Sequence, residues 1–144
     1  MRAPEFWLRD CWQARLLAPA AAFYDLAGRW RARLTMPYTA SIPVICVGNL
    51  TMGGTGKTPV ALAIGAHLHA QRSRVTFLTR GYGGSERGPV MVDARRHDAR
   101  EIGDEPLLLA ALAPTIVARD RAAGARLAAN EGAEVIVMDD GLQN

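Results

Sequence analysis

The chain has 144 residues, 49% of them hydrophobic and 22% charged, with a formal net charge of +3. That length holds one domain with a core of its own, and that composition excludes intrinsic disorder. The positive excess is local: residues 1–37 carry six arginines against Glu5, Asp10 and Asp25, and the rest is neutral, so no nucleic-acid partner is expected.

Residues 4–18 have helical periodicity, with Phe6, Trp7, Leu8, Cys11, Trp12 and Leu16 on one side and Glu5, Arg9 and Gln13 on the other. Pro19 ends or kinks that helix. A second helical pattern sets Phe23, Ala27, Trp30 and Leu34 on a stripe surrounded by Arg29, Arg31 and Arg33. All three tryptophans lie in these first 30 residues, among arginines. Two readings stand for residues 1–37: an amphipathic segment lying in an anionic membrane interface, or helices packed on the domain or a partner. No apolar run reaches the roughly 18 residues that a transmembrane helix needs. The start, with Glu5 and Asp10 and no continuous apolar core, is not a signal peptide.

Residues 38–144 read as a nucleotide-binding α/β domain. Ile42 to Val47 is an apolar run of buried-strand type. It is followed by Gly48-Asn49-Leu50-Thr51-Met52-Gly53-Gly54-Thr55-Gly56-Lys57-Thr58, and Pro59 then stands at a first helical position. Strand, glycine-rich turn, Gly-Lys-Thr and helix form a phosphate-binding loop. Gly48, Asn49, Met52, Gly53, Gly54, Thr55 and Gly56 supply its backbone, Lys57 reaches the β and γ phosphates, and the Thr58 hydroxyl meets Mg²⁺. Thr51 stands where the first glycine of that pattern is usual. Cys11 and Cys46 make no C-x-x-C, and Cys46 falls inside the expected strand, so both read as reduced packing residues.

Pro59 to Gln71 is an expected helix, apolar nearly all round, as for a helix covered on more than one side. Arg74 to Thr79 is a strand that runs into Arg80-Gly81-Tyr82-Gly83-Gly84-Ser85. Arg80 and Tyr82 thus stand at the C-terminal edge of the sheet, where open α/β sheets bind ligands. Pro89 to Val92 is a short strand, and 93–103 a polar, basic loop, either a solvated surface or a flap for an anionic substrate. Gly103-Asp104-Glu105-Pro106 opens a helix over Leu107 to Ala113, and Asp104 is either its N-cap or a general base. Thr115 to Ala118 is a strand, and Asp120 to Asn130 a helix that Asp120 caps and Gly132 ends. Glu134 to Met138 is the last strand, ending in Asp139-Asp140-Gly141. The alternation predicts a mostly parallel sheet with helices on both faces, the P-loop NTPase type.

An apolar strand ending in aspartate, downstream of a phosphate loop, supplies the second half of a nucleotide–Mg²⁺ site. Asp139 and Asp140 are adjacent and point in different directions, so one faces the metal and the other a second group. A base to orient the acceptor hydroxyl comes from Asp104, Asp139 or Asp140. These features indicate an NTP-binding domain and do not separate a small-molecule kinase from a nucleotide switch or an ATP-dependent ligase. A GTPase would add N-K-x-D, which is missing from these 144 residues.

Together, the stretch Val47 to Pro59, Arg80-Gly81-Tyr82-Gly83, Gly103 to Ala110 and Asp139-Asp140-Gly141-Leu142-Gln143 resemble the tetraacyldisaccharide 4'-kinases of lipid A biosynthesis, in order and spacing and over the whole chain. Thr51 and the lead-in Pro4 to Trp7 share in the likeness. The resemblance implies transfer of the ATP γ-phosphoryl, with Mg²⁺, to the 4'-hydroxyl of a tetraacylated glucosamine disaccharide 1-phosphate. It implies a peripheral or monotopic enzyme at the cytoplasmic face of the bacterial inner membrane, anchored by its N-terminal helix. It assigns Asp104 to the base and the pair Asp139 and Asp140 to Mg²⁺ and active-site organisation. Read from the residues themselves, Lys57 joins the catalytic candidates, Thr58 and Asp139 are the candidate metal ligands, and Arg80 and Tyr82 are the candidate substrate-binding residues. Family members carry a histidine where this chain has Asn144 and are about twice as long, with a second α/β portion. The chain is therefore expected to be the N-terminal part of a longer product.

Overall fold

The computed structural model describes residues 38–48 and 56–139, together with helical positions 18, 19, 21, 23, 24, 26, 28 and 30. The chain divides into two compact units, Met1–Tyr38 and Thr39–Asn144. In the first, the described helical positions leave Phe23, Tyr24, Leu26 and Trp30 exposed. The helix expected over 4–18 lies almost wholly outside the described residues.

The second unit runs β1 (Val44–Val47), α1 (Lys57–Ala70), β2 (Val75–Thr79), β3 (Val90–Met91), α2 (Ala99–Ile102), α3 (Asp104–Ala110), β4 (Thr115–Val117), α4 (Arg121–Asn130) and β5 (Val135–Asp139). Its described strands form one sheet in the order β1-β5-β2-β4-β3. All neighbours are parallel except β3, which runs antiparallel to β4. Strand side chains alternate between the two faces, and here both faces are covered. Val75 and Phe77 of β2 and Val135 and Val137 of β5 pack with Ala61 of α1 and Leu109 of α3. Their neighbours Leu78 and Ile136 pack on the other face with Ala125 and Ala128 of α4. Near-continuous apolar strands are what a sheet buried on both faces requires.

Several expectations shift. The first strand begins at Val44 rather than Ile42, although the Pro43 carbonyl still accepts from the Ile136 N–H at 2.9 Å. Cys46 is exposed and not a packing residue. It lies on β1, an edge of the described sheet, and on the face opposite Val47, which belongs to the core under α1. Among the described residues α1 is buried along one stripe, at Ala61 and Gly65, with Val60 half exposed. The polar stretch after β3 contains a helical turn, α2, closed by a capping box. Asp98 accepts from the Arg100 and Glu101 N–H groups, and Glu101 accepts in return from the Asp98 N–H. Asp120 caps α4 by accepting from the Ala123 N–H at 3.1 Å, as expected.

Helices α1 and α4 end in the same reciprocal pair of hydrogen bonds, in which the N–H groups of the two residues past the cap reach back to the last turn. In α4 the left-handed position is Gly132, with φ +81°. In α1 it is Arg72, with φ +65°, donating to the His69 carbonyl at 2.9 Å. A side chain in that conformation costs about 1–2 kcal/mol, partly offset by the greater freedom of glycine in the unfolded chain. Arg72→Gly is therefore expected to stabilise the chain by about 0.5–1 kcal/mol, read as a rise in the urea midpoint at unchanged slope. Two residues on, Arg74 is joined to Glu134 by a 3.2 Å ion pair and a 3.1 Å bond from the Arg74 N–H. That N–H, helped by the guanidinium, holds the Glu134 carboxyl below its ordinary range and ties the starts of β2 and β5 together.

Candidate functional site

Three elements converge at the C-terminal edge of the sheet: the end of β5, the start of α1 and the start of α3. Asp139 is the last residue of β5, pairs in register with Val47 and is 2% exposed. By alternation it shares the face of Val135 and Val137, which is the face covered by α1 and α3. The Thr58 hydroxyl, on the second residue of α1, lies 3.2 Å from Asp139 Oδ2. The same hydroxyl lies 3.1 Å from Oε1 of Glu105 on α3. It has one proton and can donate to one carboxylate at a time. Two carboxylates held around one hydroxyl suit a cation placed between them.

The donor set is all hard oxygen, two carboxylates and a hydroxyl. Mg²⁺ takes such a set, typically one or two carboxylates completed by water and phosphate oxygens. Among the described residues no group of three or more His, Cys, Asp or Glu side chains is arranged to hold a metal. The start of α1 has features that suit an anion. Gly56, in the left-handed conformation, precedes the helix, no side chain caps it, and its first turn carries no acid. Helix-start N–H groups left without intrahelical partners favour a phosphate there. Lys57, the first residue of this turn, is half-buried.

Asp104 is the first residue of α3 and not its N-cap, which is Gly103, and no side chain caps that helix. The cap reading is thereby corrected. Consecutive helix positions differ by about 100° around the axis. With Glu105 turned to Thr58, the exposed Asp104 takes a different direction. Gly103 has φ +89°, and a Cβ there would stand 2.5 Å from the Tyr82 carbonyl oxygen. This close approach sets the Arg80–Gly84 segment against the residue before Asp104. Tyr82 is 86% exposed, and Arg80 is exposed immediately past the end of β2.

The structure thus brings Thr58 and Asp139 together, places Gly56 and Lys57 at the same helix start, and sets Tyr82 beside the approach to Asp104. Gly48 is half-buried just past β1. Asn49, Met52, Gly53, Gly54, Thr55 and Asp140 lie outside the described residues. Sequence reasoning missed Glu105, taking it only as part of a helix opening. Its signal was an acid beside Asp104 in the first helical turn. A separate cavity of about 480 Å³, lined by Arg72, Arg74, Met91, Pro114 and Gly132, sits where β2 and β5 begin. That edge is opposite the one where such sheets bind ligands.

A family profile for tetraacyldisaccharide-1-P 4'-kinase (LpxK) matches residues 13–144. Among curated relatives, the tetraacyldisaccharide 4'-kinase of Methylobacterium sp. (strain 4-46) is 60% identical over all of this chain. That of Parvibaculum lavamentivorans is 56% identical, again over all of it. The chain spans 44% of the length of each. Among solved structures, the "apo" form of LpxK from Aquifex aeolicus in complex with ATP superposes with a TM-score of 0.73 at 32% identity. The superposition covers 91% of this chain and 45% of that one.

Proposed function

The chain belongs to the tetraacyldisaccharide 4'-kinase family, and from that premise we propose that it supplies the nucleotide half of a lipid kinase. The reaction is transfer of the ATP γ-phosphoryl to the 4'-hydroxyl of a tetraacylated glucosamine disaccharide 1-phosphate. The observation that carries this reading is the Thr58 hydroxyl held between Glu105 and Asp139 at an uncapped helix start.

Lys57 and the first N–H groups of α1 bind the β and γ phosphates and orient the γ-phosphoryl group. Thr58, Asp139 and Glu105 are the residues that would hold Mg²⁺ with the nucleotide, which would supply charge neutralisation at the phosphate oxygens. Asp104 accepts the proton of the acceptor hydroxyl as its oxygen bonds to the γ phosphorus and the bond to the bridging oxygen of ADP breaks. Arg80 and Tyr82 position the acceptor at the same edge. Asp140, next to Asp139 in the sequence, is assigned to organising the active site. Gly48, Asn49, Met52, Gly53, Gly54, Thr55 and Gly56 are assigned to the phosphates by their sequence pattern.

The lipid acceptor places the protein at the cytoplasmic face of a bacterial inner membrane. Residues 1–37, with three tryptophans and six arginines, are the segment suited to that surface. No helix of the described residues is long and apolar enough to cross a membrane.

The test is a nucleotide titration of this chain with Mg²⁺ present. ATP is expected to bind, and Lys57→Ala to weaken it by about tenfold or more. An unchanged affinity in the variant would reject the phosphate-loop assignment.

A further inference from the structure

The C-terminal edge carries more positive charge than the transfer chemistry uses. Arg80 follows Thr79 at the end of β2, and Arg119 stands two residues past Val117 at the end of β4. Arg87 lies alongside, its carbonyl accepting from the Arg119 N–H at 2.9 Å. All three side chains are exposed. Among the described residues none of the three has an ion-pair partner. Asp120, beside Arg119, caps α4, and Glu86 adjoins Arg87, so two acids stand next to the three arginines along the chain.

The segment carrying Arg87 is held rigidly. A Cβ on Gly88 would run into the Val117 carbonyl oxygen, and one on Gly84 would stand 2.5 Å from that of Glu101. The Ser85 and Glu86 N–H groups donate to the Arg100 and Glu101 carbonyls at 3.0 and 2.8 Å. A backbone held this closely fixes where the Arg87 side chain starts, so binding orders only its rotamers.

Register then supplies a ruler. Leu78 lies beside Met138, and Thr79 beside Val117, so the ends of β5, β2 and β4 are level. Adjacent strands are about 4.8 Å apart, so the end of β4 stands about 10 Å across the sheet from that of β5. That is the span of two linked sugar rings. An acceptor whose reacting hydroxyl lies at the Asp104–Asp139 side and whose second ring reaches over Arg80 brings its far end to Arg87 and Arg119.

We infer that Arg87 and Arg119 form the pocket for the phosphomonoester at the far end of the acceptor and set its selectivity for a 1-phosphorylated disaccharide. The inference rests on the proposed acceptor class and assigns a specificity role to two residues outside the transfer chemistry. Two guanidiniums converging on a dianion form charge-assisted, forked hydrogen bonds, and a sugar lacking the phosphate leaves both unused.

The test uses this chain, a soluble short-acyl disaccharide 1-phosphate and the same disaccharide without the phosphate, each titrated calorimetrically. The phosphorylated form is expected to bind about tenfold tighter or more. In the Arg87→Gln/Arg119→Gln double variant the two are expected to bind within about threefold of one another, with ATP affinity unchanged. Equal affinity for the two sugars in the original chain overturns the inference, as does a preference that survives in the variant. Loss of co-sedimentation with phosphatidylglycerol vesicles, with the sugar preference kept, would assign the arginines to lipid headgroups instead and also overturns it. Failure of ATP to bind is a separate result: it would sink the nucleotide reading without touching the phosphate preference.

Discussion

Asp104→Asn is expected to slow phosphoryl transfer by about 10²–10⁴-fold while leaving the protein nearly as stable as before. The two effects separate because Asp104 does not cap α3. Gly103 holds that position, and no side chain bonds to the helix start. A first-turn carboxylate contributes only about 0.3–1 kcal/mol through the helix dipole. Asparagine matches aspartate in shape but takes up no proton at neutral pH, so it preserves the geometry and removes the base. The measurement is the rate of transfer to the lipid disaccharide at saturating ATP, with a thermal melt alongside. It uses this chain completed to family length with the remaining stretch of the Methylobacterium relative. A rate within about threefold of the parent would take Asp104 out of the chemistry, since a general base is worth far more.

Glu105→Gln is expected to weaken the Mg²⁺ dependence of ATP binding by about 10–100-fold, the range found when a side chain that supports a bound metal is lost. The metal-free protein should at the same time become no less stable. Glu105 and Asp139 both lie within hydrogen-bond reach of the Thr58 hydroxyl, so two negative charges face one another when no cation separates them. Removing one charge relieves that repulsion, and glutamine can still accept from Thr58. Opposite signs for metal affinity and metal-free stability mark a carboxylate placed for a ligand rather than for the fold. Both quantities are measured on this chain, by ATP titration over a series of Mg²⁺ concentrations and by melts in chelator. A Mg²⁺ dependence that stays the same within about twofold would leave Glu105 as a structural partner of Thr58 only.

The fold class was readable from the sequence because its signals are local. The apolar runs at Val44–Val47, Val75–Thr79 and Val135–Asp139 and the helical stretches between them determine a parallel sheet covered on both faces. Gly56-Lys57-Thr58 and Asp139 stand out for the same reason, since each pattern lies in a few consecutive residues, and the structure brings Thr58 within 3.2 Å of Asp139. The sequence also determined which face Asp139 joins, because alternation along β5 is a property of the strand itself.

Pairing between distant segments was decided only by the tertiary structure. Cys46 looked like a core residue because its neighbours are apolar. It is exposed because β1 falls at an edge of the described sheet, and strand order does not depend on any one strand's composition. Asp104 and Glu105 look equivalent in the chain, both acids at a helix start. Their surroundings differ because α3 is set against α1 at one rotation about its axis, which brings Glu105 to Thr58, 47 residues away in sequence, and turns Asp104 elsewhere, both staying exposed. That rotation comes from Leu109 packing beneath α3 with Phe77 and Ala61, and from Gly103 lying against the Tyr82 carbonyl. Arg80, Arg87 and Arg119 are likewise scattered in the chain and share one edge because β2 and β4 pair in register and the Arg119 N–H bonds to the Arg87 carbonyl. Local chemistry determined which residues were available, and packing over long sequence separations decided which of them face one another.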